Sequence, residues 1–492
     1  MSGTTTTQNA RRGAPSPNSS ERVLFAVQVT RTGVLIGLAV GAGLALLSVN
    51  IFPSITNDST IYLDHSRALP TKGFIEAGYR QFGYPLYLAL TRKGAEFFGV
   101  DPMLVAALIQ RLLLVLVIVL AWLTWRWWSL PLIVLLLSAE TLAFTNFLLT
   151  EGLALPLAAL ITFPALYCIR AFRRTEIDTM KVIASAIVVA VIAAGLFSLR
   201  YSFAVFGAVP LIVFIASWNT GLRRSMAVVF AAFVVAVAGM VIAMSIENDR
   251  EFGAFTPSAS GGPTRYYYAW NQVFLLQPEN QEDPALAEYW DDGQRRHFLV
   301  EMINSGLPYD EVEQRHIEET RAMLDAAGLS PGGTRIVSAL STLYGGRMDD
   351  VEAAVEKIVL ANRETIDRPT YLNTFAEQNG FDRFEERFND GTDVEVIITD
   401  PIGWHIPSPG TQGLLRVLLP ISLIVMVLGL WRRDTRMLAL AGLMVVLGQA
   451  VGLGWLRSDN LRFLLPGAVF GISVGTAVAS LRWGKPAPSA ET

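Results

Sequence analysis

A mainly α, polytopic membrane protein with a helix-rich outer domain is predicted by three observations. Only 17% of the 492 residues are charged, against about a quarter in soluble domains. Hydrophobic residues make up 52% and the mean hydropathy is +0.41. The apolar residues also gather into about ten runs long enough to cross a bilayer, which makes lipid the main solvent and excludes an ordinary soluble enzyme.

Taken in order, residues 1–22 hold Thr4 to Thr7, Arg11, Arg12 and Pro, Ser and Asn. That composition is too polar to build a core and is expected as a disordered cytoplasmic tail. Gly33 to Pro53 is longer than a signal-peptide core and reads as an uncleaved spanning helix. Further runs lie near 103–121, 130–148, 150–169, 180–199, 203–218, 225–246, 412–431, 436–456 and 461–481. Helices one to seven thus fall within 23–246 and helices eight to ten within 412–481, with a short tail at 482–492.

Orientation follows from the cations. With the amino end inside, Arg126, then Arg170, Arg173, Arg174 and Lys181, then Arg223 and Arg224, then Arg432, Arg433 and Arg436, and finally Arg482 and Lys485 all fall on inner connections, as the positive-inside rule requires. Both tails are then cytoplasmic. The loop 54–102, the block 247–411 and the Arg457–Arg462 turn face outward, with all four histidines, His65, His297, His316 and His405. A plasma-membrane or inner-membrane location is expected.

The block 247–411 carries 30 Asp+Glu against 13 Lys+Arg, while the remainder carries 13 acidic and 26 basic residues. Such an acidic insertion speaks against nucleic acid as a partner, since phosphates need a basic footprint. Pro284 to Asn304, Asp310 to Ala327 and Asp349 to Asn362 show helical spacing, separated by punctuation such as Ser330-Pro331-Gly332-Gly333. This block is expected as an outer cap. The one cysteine, Cys168, excludes an intrachain disulfide or a thiolate metal cluster.

The first outer loop concentrates chemistry: Asp58, Tyr62, Asp64-His65, Ala68, Gly73, Arg80 and Tyr84-Pro85-Leu86-Tyr87. Two further signatures open predicted helices, Thr150-Glu151-Gly152-Leu153 and Arg462-Phe463-Leu464-Leu465-Pro466, and Arg200-Tyr201 lies between helices five and six. The order of these motifs resembles the GT-C superfamily of membrane glycosyltransferases, in particular the group of protein mannosyltransferases, aminoarabinose transferases and arabinofuranosyltransferases. The resemblance covers the membrane part and leaves the cap uncovered. It implies a polyprenyl-phosphate sugar donor and a glycan, lipid or protein acceptor of the cell envelope. The family's loop often has Asp-Glu where this chain has Asp58-Ser59, which leaves open whether Asp58 acts alone or with Asp64 or Glu151.

The chemistry fits one base. A polyprenyl phosphate departs as a stable anion, so no acid is needed on the leaving group, unlike the paired carboxylates of a glycosidase. Asp58 is expected to take the acceptor's proton, and a single displacement would invert the anomeric centre. The departing phosphate calls for arginine, whose planar fork can hold two oxygens; Arg200, Arg462 and Arg80 are the candidates, set against snorkelling or lipid head-group contact. Glu151 and Tyr62 are expected to shape the pocket with Tyr84. Glu151 is read either as orienting the acceptor or holding an arginine, and Glu140, set within an apolar run, as protonated, paired or facing a wet cavity.

His65 is read as a base or metal ligand, or as a plain polar loop residue. The aromatics Tyr266-Tyr267-Tyr268-Ala269-Trp270 and Trp404 are read as sugar platforms or as core and interface residues. No His/Asp spacing of a metal site occurs, and a divalent cation, Mg or Mn, at Asp58, Asp64 or Glu151 is kept as an alternative. A flippase or transporter for a lipid-linked sugar is the rival function, as is a non-catalytic assembly partner. The flippase predicts charges near the bilayer midplane, whereas the charges here gather at the rim.

Overall fold

The computed structural model describes residues 33, 37, 57–72, 81–100, 102–146, 148–174, 176–258, 261–275, 277–293, 306–344, 410–456 and 461–484. Its elements are α1 (Asn57–Lys72), α2 (Gly83–Phe98), α3 (Pro102–Trp125), α4 (Leu130–Leu136), α5 (Ala139–Asn146), α6 (Thr150–Leu160), α7 (Thr162–Ala171), α8 (Thr179–Leu199) and α9 (Ala208–Ala216). There follow α10 (Arg223–Phe252), α11 (Gly261–Trp270), α12 (Ala287–Gly293), α13 (Tyr309–Ala326), α14 (Pro331–Leu343), α15 (Thr411–Leu430), α16 (Arg436–Leu456) and α17 (Leu461–Trp483). Among the described residues there is no strand. Apart from Gly33 and Gly37, both helical, the first apolar run lies outside the described residues, as do the first tail, residues 485–492 of the second and the expected helix at Asp349 to Asn362.

Seven helical stretches are long and apolar enough to cross a membrane: Pro102–Leu136, Thr150–Ala171, Thr179–Leu199, Arg223–Phe252, Thr411–Leu430, Arg436–Leu456 and Phe463–Trp483. The first contains a reversal. Arg126 sits at φ +52°, outside the helical range, and a one-turn 3₁₀ segment, Arg126–Ser129, sends α4 back against α3. The run expected as one helix at 130–148 is broken after Leu136, where Ser138 donates its hydroxyl to the Leu135 carbonyl at 2.6 Å. The run expected at 203–218 is likewise shorter, beginning as a 3₁₀ turn, Tyr201–Gly207, before α9.

Burial sorts these helices. In α17, 89% of the apolar window is enclosed, against 11% in α10. The first is therefore the axis of the bundle and the second its periphery. Around α17 the helices α15 and α16 pack at glycines. A methyl group on Gly442 would come within 2.7 Å of Val474 Cγ1 and would also strike Met426 Sδ. Such backbone approach is how apolar helices gain contact in lipid, where water supplies no drive between them. α6 leans on the same axis.

The stretch 54–102, expected as a loop, holds two helices instead. The buried residues Ser59, Tyr62, Ser66 and Leu69 make one face of α1, and Tyr84, Leu88, Thr91 and Ala95 one face of α2, at helical spacing. The two pack together, and α2 continues onto α3. Pro85 in the first turn costs α2 no internal bond. Gly99 at φ +66° ends it, with its N–H and that of Val100 reaching back to Glu96 and Ala95 carbonyls at 3.3 and 3.1 Å.

The cap begins as an extension of α10, whose 30 residues span about 45 Å at 1.5 Å per residue, more than a bilayer core of about 30 Å. Beyond it, α11 and α13 pack together around a second core of Tyr266, Trp270, Phe274, Leu286, Met323 and Leu324, with Trp290 stacked on Trp270 at 5.1 Å. The aromatic cluster is thus largely core, and His316 is buried beside Tyr266. Ser330-Pro331-Gly332-Gly333, expected as loop punctuation, instead starts α14: Ser330 Oγ accepts the Gly333 N–H at 3.3 Å and Pro331 takes the first turn. His297, Trp404 and His405 lie outside the described residues.

Candidate functional site

The two ends of the bundle differ in kind. At one, Arg173 pairs with Asp434 at 3.0 Å, Arg432 donates to the Arg482 carbonyl at 3.0 Å, and Trp128 stacks on Trp483. These are arginines bound to each other's surroundings in an exposed setting. At the other end the helix termini meet around a buried charge, and four residues singled out from the sequence, Glu151, Arg200, Tyr62 and Tyr84, come together there.

Glu151 is the centre. It opens α6, where the helix dipole favours an anion, and its side chain is 0% exposed. Arg200 Nη1 donates to Glu151 Oε1 at 2.5 Å, and Thr150 Oγ1 donates to Oε2 at 3.1 Å. Arg200 lies in extended conformation between α8 and the 3₁₀ turn, which swings its side chain off the helix axis. Its guanidinium also rests 4.3 Å from the centre of the Phe463 ring at the start of α17. A carboxylate on one side and a ring on the other hold this cation in one orientation. Of the two roles expected for Glu151, the geometry displays the holding of an arginine.

Beside this pair stands an aromatic wall. Tyr62 and Tyr84 meet edge to face at 5.1 Å, and Tyr84 and Tyr87 at 5.5 Å. Tyr84 donates its hydroxyl to Gln110 Oε1 at 3.2 Å, and Gln110 Nε2 donates to the Thr145 carbonyl at 3.4 Å. Burial pushes the Tyr84 phenol well above its ordinary range, and Tyr87, Tyr62 and Glu151 push in the same direction. Tyr84 is therefore a neutral donor, not a base. Tyr87 instead donates to the Ala106 carbonyl at 2.6 Å and fastens α2 to α3.

Gly152 makes the junction possible. A Cβ there would meet Gln110 Oε1 and come within 2.6 Å of the Phe144 carbonyl oxygen. The side chain can yield but the carbonyl is backbone. Gly152→Ala is expected to destabilise the protein by about 1–3 kcal/mol, the usual cost of overpacking, measured as a lowered unfolding temperature of the detergent-solubilised protein. An unchanged temperature would mean that α5 and α6 separate freely.

Of the other expected residues, His65 is buried on α1, one residue before Ser66, whose carbonyl accepts from Arg92 Nη2 at 2.9 Å. Asp58, Asp64, Glu140 and Arg462 lie on helical backbone, and their side chains fall outside the described set, as does Arg80 altogether. Arg462 adjoins Phe463 in sequence. Among the described residues no three His, Cys, Asp or Glu side chains converge.

Comparison with protein-family models finds no match, and neither a curated protein nor a solved structure matches the chain.

Two members were not expected from the sequence, Gln110 and Phe463. Gln110 and its neighbour Arg111 are buried in α3, 0% and 4% exposed. They are the only strongly polar pair in the run Pro102–Trp125, a signal that was present and that the apolar count overrode. Phe463 was read only as part of a motif; nothing in its sequence neighbours announced a stack on Arg200.

The site also touches the cap. Tyr201 donates its hydroxyl to the Pro257 carbonyl and lies 2.9 Å from Met244 Sδ, while Tyr268 meets Phe463 edge to face at 6.1 Å. Phe463 thus has Arg200 on one side and a cap aromatic on the other.

Proposed function

We propose that the chain is an integral-membrane glycosyltransferase of the GT-C kind, moving a sugar from a polyprenyl-phosphate donor to a cell-envelope acceptor on the extracytoplasmic side. The observation that carries this reading is the junction of Glu151, Arg200 and Phe463 beside the Tyr62–Tyr84–Gln110 wall. Residues from four motifs, far apart in the chain, meet at one end of the bundle. The orientation is supported by the arginines at the opposite end, Arg173, Arg432 and Arg482, which the positive-inside rule assigns to the cytoplasm. Ten crossings, the seven stretches together with Gly33 to Pro53, the broken run after Leu130 and the shorter Tyr201–Ala216, complete the topology in this reading.

In the reaction, Asp58 takes the proton of the acceptor hydroxyl while that oxygen bonds to the anomeric carbon. The bond from this carbon to the phosphate oxygen breaks, and the polyprenyl phosphate leaves with the electron pair. The anomeric centre inverts. Arg462 and Arg200 supply positive charge to the departing phosphate, and Glu151 with Phe463 holds Arg200 in orientation, so that little reorganisation is left for the transition state. Tyr62 and Tyr84 form an aromatic wall for the sugar ring. The acceptor, whether glycan, lipid or protein, is selected by the cap.

The test is transfer of sugar by the purified full-length protein in nanodiscs, from a panel of synthetic polyprenyl-phosphate sugars to cell-envelope extract. Transfer from one donor supports the reading and names the sugar. Donor binding without transfer from any member of the panel overturns it in favour of a lipid-linked sugar flippase.

A further inference from the structure

The acidic block is not uniform. Between Asp325 and Asp349 it contains no carboxylate, and its only charges there are Arg335 and Arg347. This gap coincides with α14, which does not join the second core of the cap but packs along α16, a spanning helix. The approach is close: a Cβ on Gly454 would lie 2.7 Å from Ala339 Cβ and 2.8 Å from the Arg335 carbonyl oxygen.

The helix is inside out relative to one in water. Its enclosed face is Thr334, Ser338 and Thr342, exposed by 7%, 0% and 0%. Ser338 meets Gln272 Nε2 from the segment after α11, and Thr342 donates to the Ser338 carbonyl at 2.8 Å. The opposite face is Ile336, Val337, Leu340 and Tyr344, exposed by 60–63%. A cap helix bathed in water would bury these and present its hydroxyls. On the neighbouring α16, Val451 and Trp455 are exposed as well, and the Arg335 guanidinium lies 4.0 Å from the Trp455 ring centre. An arginine with a tryptophan is the pairing found at the level of lipid head groups.

We infer that α14 is embedded in the bilayer, with Ile336, Val337, Leu340 and Tyr344 in contact with lipid acyl chains and Arg335 at the head-group level. Its 13 residues reach about 20 Å, short of the roughly 30 Å of a bilayer core, so it dips into one leaflet without crossing. The cap is thereby anchored laterally against α16. The inference is independent of the enzymatic reading.

Spin labels test it. Cys168 is the one cysteine and is buried, so Cys168→Ala permits single-cysteine variants at Ile336, Val337 and Leu340. Val451 serves as a lipid-facing reference, and Gln314 on α13, which is exposed, as a water-facing one. In nanodiscs, collision with oxygen is expected to exceed collision with a water-soluble nickel chelate at all three sites, as at Val451, and the reverse at Gln314. Nickel-dominated collision at the three sites would overturn the inference. So would protection from both reagents, which would mean that protein, from this chain or a second copy, covers the face. Each variant must retain the elution volume and unfolding temperature of the parent, and agreement of any two sites decides the result.

Discussion

Asp58→Asn is expected to slow sugar transfer by about 10²- to 10⁴-fold, the range that positioned proton transfer contributes, while leaving donor binding intact. An asparagine amide keeps the size and one acceptor oxygen of the carboxylate but puts an NH2 donor in place of the other and cannot take up the acceptor's proton. At about 1.4 kcal/mol for each factor of ten, the loss corresponds to roughly 3–5 kcal/mol of barrier. The measurement is the initial rate of transfer by wild type and variant in nanodiscs, beside a binding isotherm for the same donor. A lowered rate with unchanged binding marks an interaction made in the transition state. Equal rates would clear Asp58 and turn attention to Asp64, since Glu151 already has both oxygens engaged by Arg200 and Thr150.

Arg200→Leu is expected to cost about 3–5 kcal/mol of stability, because it leaves a buried carboxylate without its cation. The Glu151 side chain has no exposure through which water could replace the guanidinium. The double variant Glu151→Leu with Arg200→Leu removes both charges and is expected to recover most of that loss, since replacing a buried pair by apolar groups is often neutral. Unfolding temperatures of the four proteins in one detergent complete the cycle. A double variant no better than Arg200→Leu would show that the arginine acts through its stack on Phe463 and not through the carboxylate. The same pair of variants separates stability from activity, for the proposed phosphate contact requires Arg200 itself and the double variant lacks it.

The class of fold was legible because bilayer crossing depends on run length and charge, both of which are read directly from letters. What escaped the letters were places where the chain leaves helical geometry within an apolar run. Nothing in Leu130 to Leu148 signals the break after Leu136 except Ser138, whose hydroxyl turns back on its own backbone. The stretch between Asn57 and Phe98 looked like a loop because its polar residues obscured two short buried faces. Ser330-Pro331 looked like a turn although Ser followed by Pro is also how a helix starts, and the structure takes that second option. In the site, Glu151, Arg200, Tyr62 and Tyr84 were legible as polar or aromatic residues at helix ends. That Glu151 holds an arginine was one of its open readings, but which arginine was not legible, since a partner 49 positions away leaves no mark on local pattern. Gln110 and Arg111 were visible as polar letters in an apolar helix, and only burial gives them meaning.

The position of Phe463 has a consequence for how the protein is made. A chain synthesised from its amino end has Glu151 and Arg200 in the membrane long before α17 emerges, and Thr411, whose hydroxyl meets that of Ser138 across 273 positions, also comes late. At about 5–20 residues per second, the interval between Arg200 and Phe463 is on the order of tens of seconds. Throughout it the acidic block is being synthesised while the first helices hold an ion pair that has no ring over it and a bundle that has no axis. The last three helices are thus a closing event in assembly, and the nascent intermediate is the state in which this protein is most open to quality control.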